Sequence, residues 1–208
     1  PLICYDTRSR QVKRFKEFSE LGITDDYMFC QVMQNESICR RLLKLVLKDE
    51  IGEIRELRYQ DVRSAGYDAR SVRLDVTAGD GDGTVYDIEM QTSDNPNLAR
   101  RLRYYQAVTD TEYLKRGKDY IELPRSIIIM FCTFDHFDKG LPSYSFSYIC
   151  EEDKDIYLED GTLKVLINSR AADRADDGEL KEFLELMNGH ISDDPFIKEI
   201  TREMDYIK

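Results

Sequence analysis

The chain has 208 residues, 41% hydrophobic and 34% charged, which suits a globular domain with a sizeable core and excludes a disordered or fibrous chain. Its formal net charge of −11 argues against indiscriminate coating of nucleic acid but leaves room for a local basic track. No apolar run approaches the roughly 20 residues needed to cross a bilayer, no secretory signal is visible, and Cys4, Cys30, Cys39, Cys132 and Cys150 include no C-x-x-C pair, so they read as reduced thiols of a cytoplasmic protein.

Residues 1–20 mix basic and acidic side chains and read as an extended arm with a turn of helix. Thr24 is a good N-cap, and Asp25 and Asp26 sit where a helix N-terminus favours negative charge, so a helix is predicted from there to about Met33. Asn35 caps a second helix over 36–48, with Ile38, Leu42, Leu45 and Val46 as its apolar stripe and Arg40, Arg41 and Lys44 facing water. Residues 54–59 read as a short strand and 61–70 as a loop.

A hairpin follows. Val72, Leu74 and Val76 alternate with Arg73, Asp75 and Thr77; Tyr86, Ile88 and Met90 alternate with Asp87, Glu89 and Gln91. Period-two alternation gives one apolar face and one wet face bearing Asp75, Asp87, Glu89 and Gln91. Gly79, Gly81 and Gly83, with Asp80 and Asp82, supply the turn. Centred on Asp82, the turn sets Asp75 across from Glu89; centred on Gly81, it sets Asp75 across from Asp87 with Glu89 diagonal. Directly paired residues have Cβ atoms about 4.5–5.5 Å apart, so either register brings two carboxylates within reach of one divalent cation. Like charges this close repel unless something positive intervenes, and hard oxygen donors suit Mg²⁺ or Mn²⁺. Read blandly, the same residues are solvated acids flanking a turn. The turn lacks the distal glutamate of a calcium loop.

Asn95-Pro96 breaks the strand and opens a helix running to about Lys115. Leu98, Leu102, Tyr105 and Val108 form one stripe, and Arg100, Arg103, Tyr104 and Ala107 another. Residues 96–118 carry six basic and two acidic side chains, a local charge of +4 that leaves −15 on the rest. Residues 126–131 form an apolar run suited to a strand buried on both faces. His136 falls in the loop 134–138, and neither it nor His190 has zinc-ligand spacing. Alternation over 144–150 and the run 163–168 predict two further strands, 171–178 a polar linker, and 179–188 and 195–206 two amphipathic helices. This order predicts an α/β fold, a mixed central sheet flanked by helices, as one domain over 1–208 with its core at about 20–168 and C-terminal helices at about 179–206.

Asp75, thirteen residues and then Glu89-Met90-Gln91 resembles the D…(D/E)-x-K signature of PD-(D/E)XK nucleases, with Gln in place of the usual Lys. "RLDV…YDIEMQ", "ARRLRYYQAV" and "TDDYMF" at 24–29 together resemble the family's transposases, the recombination-promoting nuclease (Rpn-like) group, over about residues 20–150. The resemblance implies a restriction-endonuclease-like fold and a Mg²⁺- or Mn²⁺-dependent endonuclease acting on double-stranded DNA, in a setting of transposition, recombination or defence. It implies Asp75, Glu89 and the Met90 carbonyl as metal ligands and Gln91 as the residue orienting the attacking water. Asp26 would join the acid cluster, with Glu36 a weaker candidate. Arg100, Arg103 and Tyr104 would contact phosphates. Replacing a charge by a dipole at Gln91 costs on the order of 3–4 kcal/mol of barrier, although Gln belongs to the narrower group's pattern. Cutting both strands would suit a homodimer. The alternatives are a weak or inactive member that binds DNA or protein, and a small interaction module whose acids merely face solvent.

Overall fold

The computed structural model describes residues 16–48, 51–64, 68 and 70–208. The expected N-terminal arm lies outside these up to residue 15, as do Cys4 and part of the expected 61–70 loop. Two helices come first: α1 (Asp26–Val32) and α2 (Glu36–Leu47). Asn35 caps α2 as expected, its side chain accepting from the N–H groups of Ser37 and Ile38. The N-cap of α1 is Asp25 rather than Thr24.

Six strands form one mixed sheet: β1 (Ile54–Arg63), β2 (Val72–Asp80), β3 (Val85–Gln91), β4 (Ser126–Cys132), β5 (Ser143–Phe146) and β6 (Thr162–Asn168), in the order β1-β2-β3-β4-β6-β5. The β1–β2, β2–β3 and β5–β6 pairs are antiparallel, while β3–β4 and β4–β6 are parallel. The parallel β3–β4 step needs a crossover, and α3 (Leu98–Tyr113) supplies it. Two helices close the chain, α4 (Gly178–Met187) and α5 (Pro195–Ile207).

Both faces of the sheet are covered. On one, α1, α2, α4 and α5 pack against Val76, Tyr86, Ile88, Ile129, Phe131 and Ile167. On the other, α3 sets Leu98 and Leu102 against Ile128, Met130 and Leu166, and Val108 against Val72 and Leu74. Every residue of β4 is buried, as its unbroken apolar run predicts.

Four boundaries differ from expectation. Strand β1 runs on to Arg63 because Asp61, Val62 and Arg63 pair with Leu74, Arg73 and Val72. Strand β5 stops at Phe146, after which only an isolated Ile149–Tyr157 bridge remains. The expected linker is partly a 3-10 turn, Ser169–Arg174, with Ala171 and Ala172 buried. Helix α3 ends at Tyr113. Cys30, Cys39, Cys132 and Cys150 are all free, and no helix among the described residues is long and apolar enough to cross a membrane.

Phe131 holds the helical layer to the sheet, with Phe29 of α1 and Phe183 of α4 edge-on to its ring at 6.1 and 5.3 Å. Phe131→Ala should cost about 3–5 kcal/mol, measured by urea denaturation. A loss below about 1 kcal/mol would show that these rings do not couple the layers.

Candidate active site

The site begins where the β2–β3 ladder stops. The pairs Val76↔Ile88, Thr77↔Asp87, Ala78↔Tyr86 and Gly79↔Val85 centre the turn on Asp82, which sets Asp75 across from Glu89. The turn holds itself: Asp80 Oδ1 accepts from the N–H groups of Asp82 and Thr84, and Gly83 takes φ +84°. Past Val76 and Ile88, carboxylates bridge the strands. Asp75 N–H donates to Glu89 Oε1 at 2.9 Å, and Met90 N–H donates to Asp75 Oδ2 at 3.0 Å. Strand β2 is distorted at this level. Val72 and Leu74 pack under α3, whereas Val76 and Ala78 enter the opposite core. In β1, Gln60, lying between the pairs Tyr59↔Val76 and Asp61↔Leu74, has φ +47°, a costly conformation for a residue with a Cβ.

The expected wet face is buried. Asp75 is 8% exposed, and Asp87 and Glu89 are each 1% exposed. The physical reason is that alternation reports two chemically different faces, and here α3 lies over the polar one. Burial therefore raises all three acids. Desolvation drives Glu89 well above the usual carboxylate range, with the charges of Asp87 and Asp75 adding to it. Asp75 rises by desolvation and through Asp26, opposed by the Met90 N–H bond and by Arg101. Asp87 is pushed up to about 7 by burial, against the pull of Arg63. Among the described residues neither oxygen of Asp87 has a hydrogen-bond partner.

Two arginines flank these acids. Arg63 of β1, itself buried, is spent on Asp61 at 2.8 Å and Glu112 at 2.7 Å. Arg101 of α3 places Nη2 3.2 Å from Glu89 Oε2 and Nη1 2.7 Å from Gln91 Oε1, with its guanidinium over the Tyr105 ring. Glu89 thus turns Oε1 to Asp75 and Oε2 to Arg101, so the cation flanks the acid pair without separating it.

A cleft of about 760 Å³ opens on this corner, and Asp26, Arg73, Asp75, Glu89, Arg100 and Tyr104 help to line it. Asp26 is exposed there. Glu36 is not part of it and lies beside Arg40 and Arg41 in another depression. Gln91 lines the cleft, but its amide is engaged: Oε1 accepts from Arg101, and Nε2 donates to Ser93 O at 2.7 Å. Tyr104 donates its hydroxyl to Arg70 O at 2.6 Å. Arg100 faces the cleft, but Arg103 does not; it lies in a groove on the other side of α3. Arg101 and Arg73 are the site residues that sequence reading missed. The run Arg100-Arg101-Leu102-Arg103 was visible, but only the docking of α3 decides which arginine points inward.

Among the described residues there is no group of three or more His, Cys, Asp or Glu placed to hold a metal. What the corner offers is narrower. Nothing donates to Asp75 Oδ1 among the described residues, Glu89 has lone pairs beyond its two contacts, and the Met90 carbonyl leaves its strand on the same edge as the Met90 N–H. Two carboxylates and a carbonyl, all hard oxygens, fit a cation such as Mg²⁺ that keeps several waters and takes its remaining ligands from a substrate phosphate.

The family model described as PD-(D/E)XK nuclease family transposase matches residues 24–166. No curated protein and no solved structure matches the chain.

Asp87 generates a pH prediction. Its folded pKa is raised, so its proton is held longer in the folded state than in the unfolded chain. Stability from this group is therefore full below the unfolded pKa of about 4 and is lost as pH rises to about 7. Asp87→Asn should remove that loss, stabilising the protein by more than ~1 kcal/mol at neutral pH and flattening its stability between mildly acidic and neutral pH. Denaturation midpoints across that window measure it; an unchanged slope would show that Asp87 is not the group responsible.

Proposed function

The chain belongs to the PD-(D/E)XK nuclease family transposases, and we propose from that premise that it is a divalent-cation-dependent DNA endonuclease cutting in the cleft beside α3. The observation that carries the reading is the buried Asp75–Glu89 pair, two carboxylates crossed onto each other's strand at the point where the ladder opens. Their raised pKa values, with Arg63 already neutralised by Asp61 and Glu112, leave the corner short of positive charge.

Asp75, Glu89 and the Met90 carbonyl would hold Mg²⁺ or Mn²⁺. When bound, such a cation supplies Lewis acidity at the scissile phosphate and lowers the pKa of a coordinated water. The chain's own residues do the rest. Arg101 provides the positive charge that the family usually places on the lysine of its signature. Gln91, anchored to Ser93, presents that guanidinium through Oε1. Asp26 adds negative charge at the rim and helps to hold Asp75 poised for a cation. Arg100 and Arg73 line the approach and grip phosphates flanking the cut. Tyr104 braces the Arg70 segment and has only acceptor capacity left for a bound water or donor. The substrate is double-stranded DNA, a homodimer would serve double-strand cutting, and the free cysteines fit a cytoplasmic setting.

A second reading draws on the same geometry. Arg101 already satisfies part of Glu89, so the corner is partly neutralised without metal, as suits a member that binds DNA without cutting it.

Plasmid nicking decides between the two. Wild type should cut only with Mg²⁺ or Mn²⁺, and Asp75→Ala and Glu89→Ala should each lose cutting by at least 10²-fold. Equal cutting by wild type and both variants would place the chemistry elsewhere, and no cutting by any of them would favour the binding role.

Arg101 has its own signature. Arg101→Ala should slow cleavage by on the order of 10²–10³-fold, yet keep the Mn²⁺ affinity measured by calorimetry. Arg101→Lys should recover part of the rate. A variant that cuts at the wild-type rate would remove Arg101 from the chemistry.

A further inference from the structure

The far side of α3 carries a second concavity, a groove of about 320 Å³ between the helix and strands β5 and β6. Buried Leu98, Leu102 and Leu166 form its floor. Its wall is aromatic: Phe137 packs against Tyr144 at 4.8 Å and Phe146 at 5.3 Å, and Tyr148 stands 55% exposed. This wall is fixed in place. Asp135 accepts from the Tyr144 hydroxyl at 2.7 Å and from the N–H groups of Phe137 and Gly140, and those bonds hold its carboxyl below the usual range.

The rim is cationic. Arg103 is exposed with no ion pair or hydrogen bond among the described residues, and Lys164 lies over the Tyr148 ring at 5.9 Å. No acid lines the groove; Asp94 is held by His136 at 2.6 Å, Asp135 is taken up by Tyr144 and backbone N–H groups, and Asp110 of α3 lies within electrostatic reach of Lys164. An apolar floor, aromatic faces and a cationic rim match one ligand chemistry well: an unstacked nucleobase with its phosphates on either side.

Position agrees with chemistry. Along α3, Asn97, Arg100, Arg101 and Tyr104 face the cleft, while Leu98, Ala99, Leu102 and Arg103 face the groove. The two are separated by one helix, ~10–12 Å across, about three nucleotides of stacked strand at ~3.4 Å each. Arg100 and Arg103, neighbours at i and i+3, can grip successive phosphates of a strand that passes over α3 from the cleft to the groove.

We propose that the Leu102–Phe137–Tyr148 groove captures an unpaired base of the strand bound in the cleft, so that the preferred substrate is DNA with unpaired nucleotides about three positions from the cut. This rests on the DNA-cutting role above. It favours ends, gaps or branches over uninterrupted duplex, because a base inside a duplex must first be unstacked at a cost of a few kcal/mol.

Binding of the full-length protein in EDTA tests this apart from cleavage. The probes are a blunt duplex and the same duplex with a short single-stranded overhang carrying 2-aminopurine, a fluorescent base quenched on stacking. Wild type should bind the overhang DNA more tightly and quench it. Tyr148→Ala should lose about 5- to 150-fold on the overhang DNA and nothing on the blunt duplex; its exposed side chain makes unfolding a poor explanation for the loss. Arg103→Ala should weaken the overhang complex and reduce its salt slope by about one, whereas Arg100→Ala should weaken both complexes. Equal affinity for both DNAs, no quenching, and no effect of Tyr148→Ala would overturn the proposal and leave the groove to an apolar protein segment. Asp75-dependent nicking would then still support the nuclease. Binding to neither DNA would overturn both.

Discussion

The structure turns on a local exchange: at the open end of the β2–β3 hairpin, backbone pairing is replaced by two carboxylates, each accepting an N–H from the other strand's edge. A ladder hydrogen bond joins neutral groups and could continue without charge. Here the chain spends that pairing on Asp75 and Glu89 and then buries both. Burying an ionised group is costly unless it is paired and hydrogen-bonded. One N–H each and one shared guanidinium meet part of that cost, and the raised pKa values measure what is left over. A divalent cation is the most direct way to supply the remainder, and its arrival would displace protons from the pair.

The surrounding fold makes this imbalance tolerable. Strand β4, buried along its whole length, pairs with β3 at every residue from Val85 to Gln91 and holds the acid-bearing strand rigid. On the other flank, β1 and α3 are tied through Arg63, which reaches Asp61, Glu112 and Thr109. Between these braces lies Asp87, with no partner among the described residues and beside the equally unpartnered Thr77 hydroxyl. Among the described residues, buried side-chain atoms without a partner fall on Asp87, Thr77, Arg63, Arg101 and Gln106, that is, on the strands beneath α3 and on α3 itself, the pattern expected where stability has been given up for a site.

Much of this was legible in the sequence. Alternation in 72–77 and 85–91 gave the hairpin, the apolar run at 126–131 gave the doubly buried strand, and Asn35 gave the start of α2. The Gly- and Asp-rich turn left two registers open, centred on Asp82 or on Gly81, and the strand pairing adopts the first. What could not be read was tertiary. Alternation says that a face is polar, not that a helix will cover it, so the wet face became a buried one. Helical spacing grouped Arg100 with Arg103 and passed over Arg101, because an angular difference of one residue only acquires meaning once the helix is docked. The length of β1 was missed for a related reason: Asp61, Val62 and Arg63 show no inward apolar alternation and are extended only because β2 pairs with them and Glu112 and Thr109 receive Arg63.

Under the proposed DNA-cutting role, helix α3 bears on how an acidic protein approaches a polyanion. The segment 96–118 carries +4 while the rest of the chain carries −15, so the sign of the charge reverses locally around this helix. Repulsion between exposed charges fades beyond a Debye length of about 8 Å at physiological salt, so a local cluster of basic side chains can act on a nearby phosphate despite the net charge of the chain. Arg73, Arg100 and Arg101 line the cleft itself, so the proposed DNA would meet positive charge beside the acids. Arg100 and Arg103, neighbours at i and i+3 on α3, line the cleft and the groove respectively and have no partners to give up among the described residues. Arg101, between them, is already committed to Glu89 and Gln91. Three arginines within four positions are thus divided into two that stay free for the proposed nucleic acid and one that keeps charge at the acids, and that division depends on the packing of Leu98, Leu102 and Val108 beneath them.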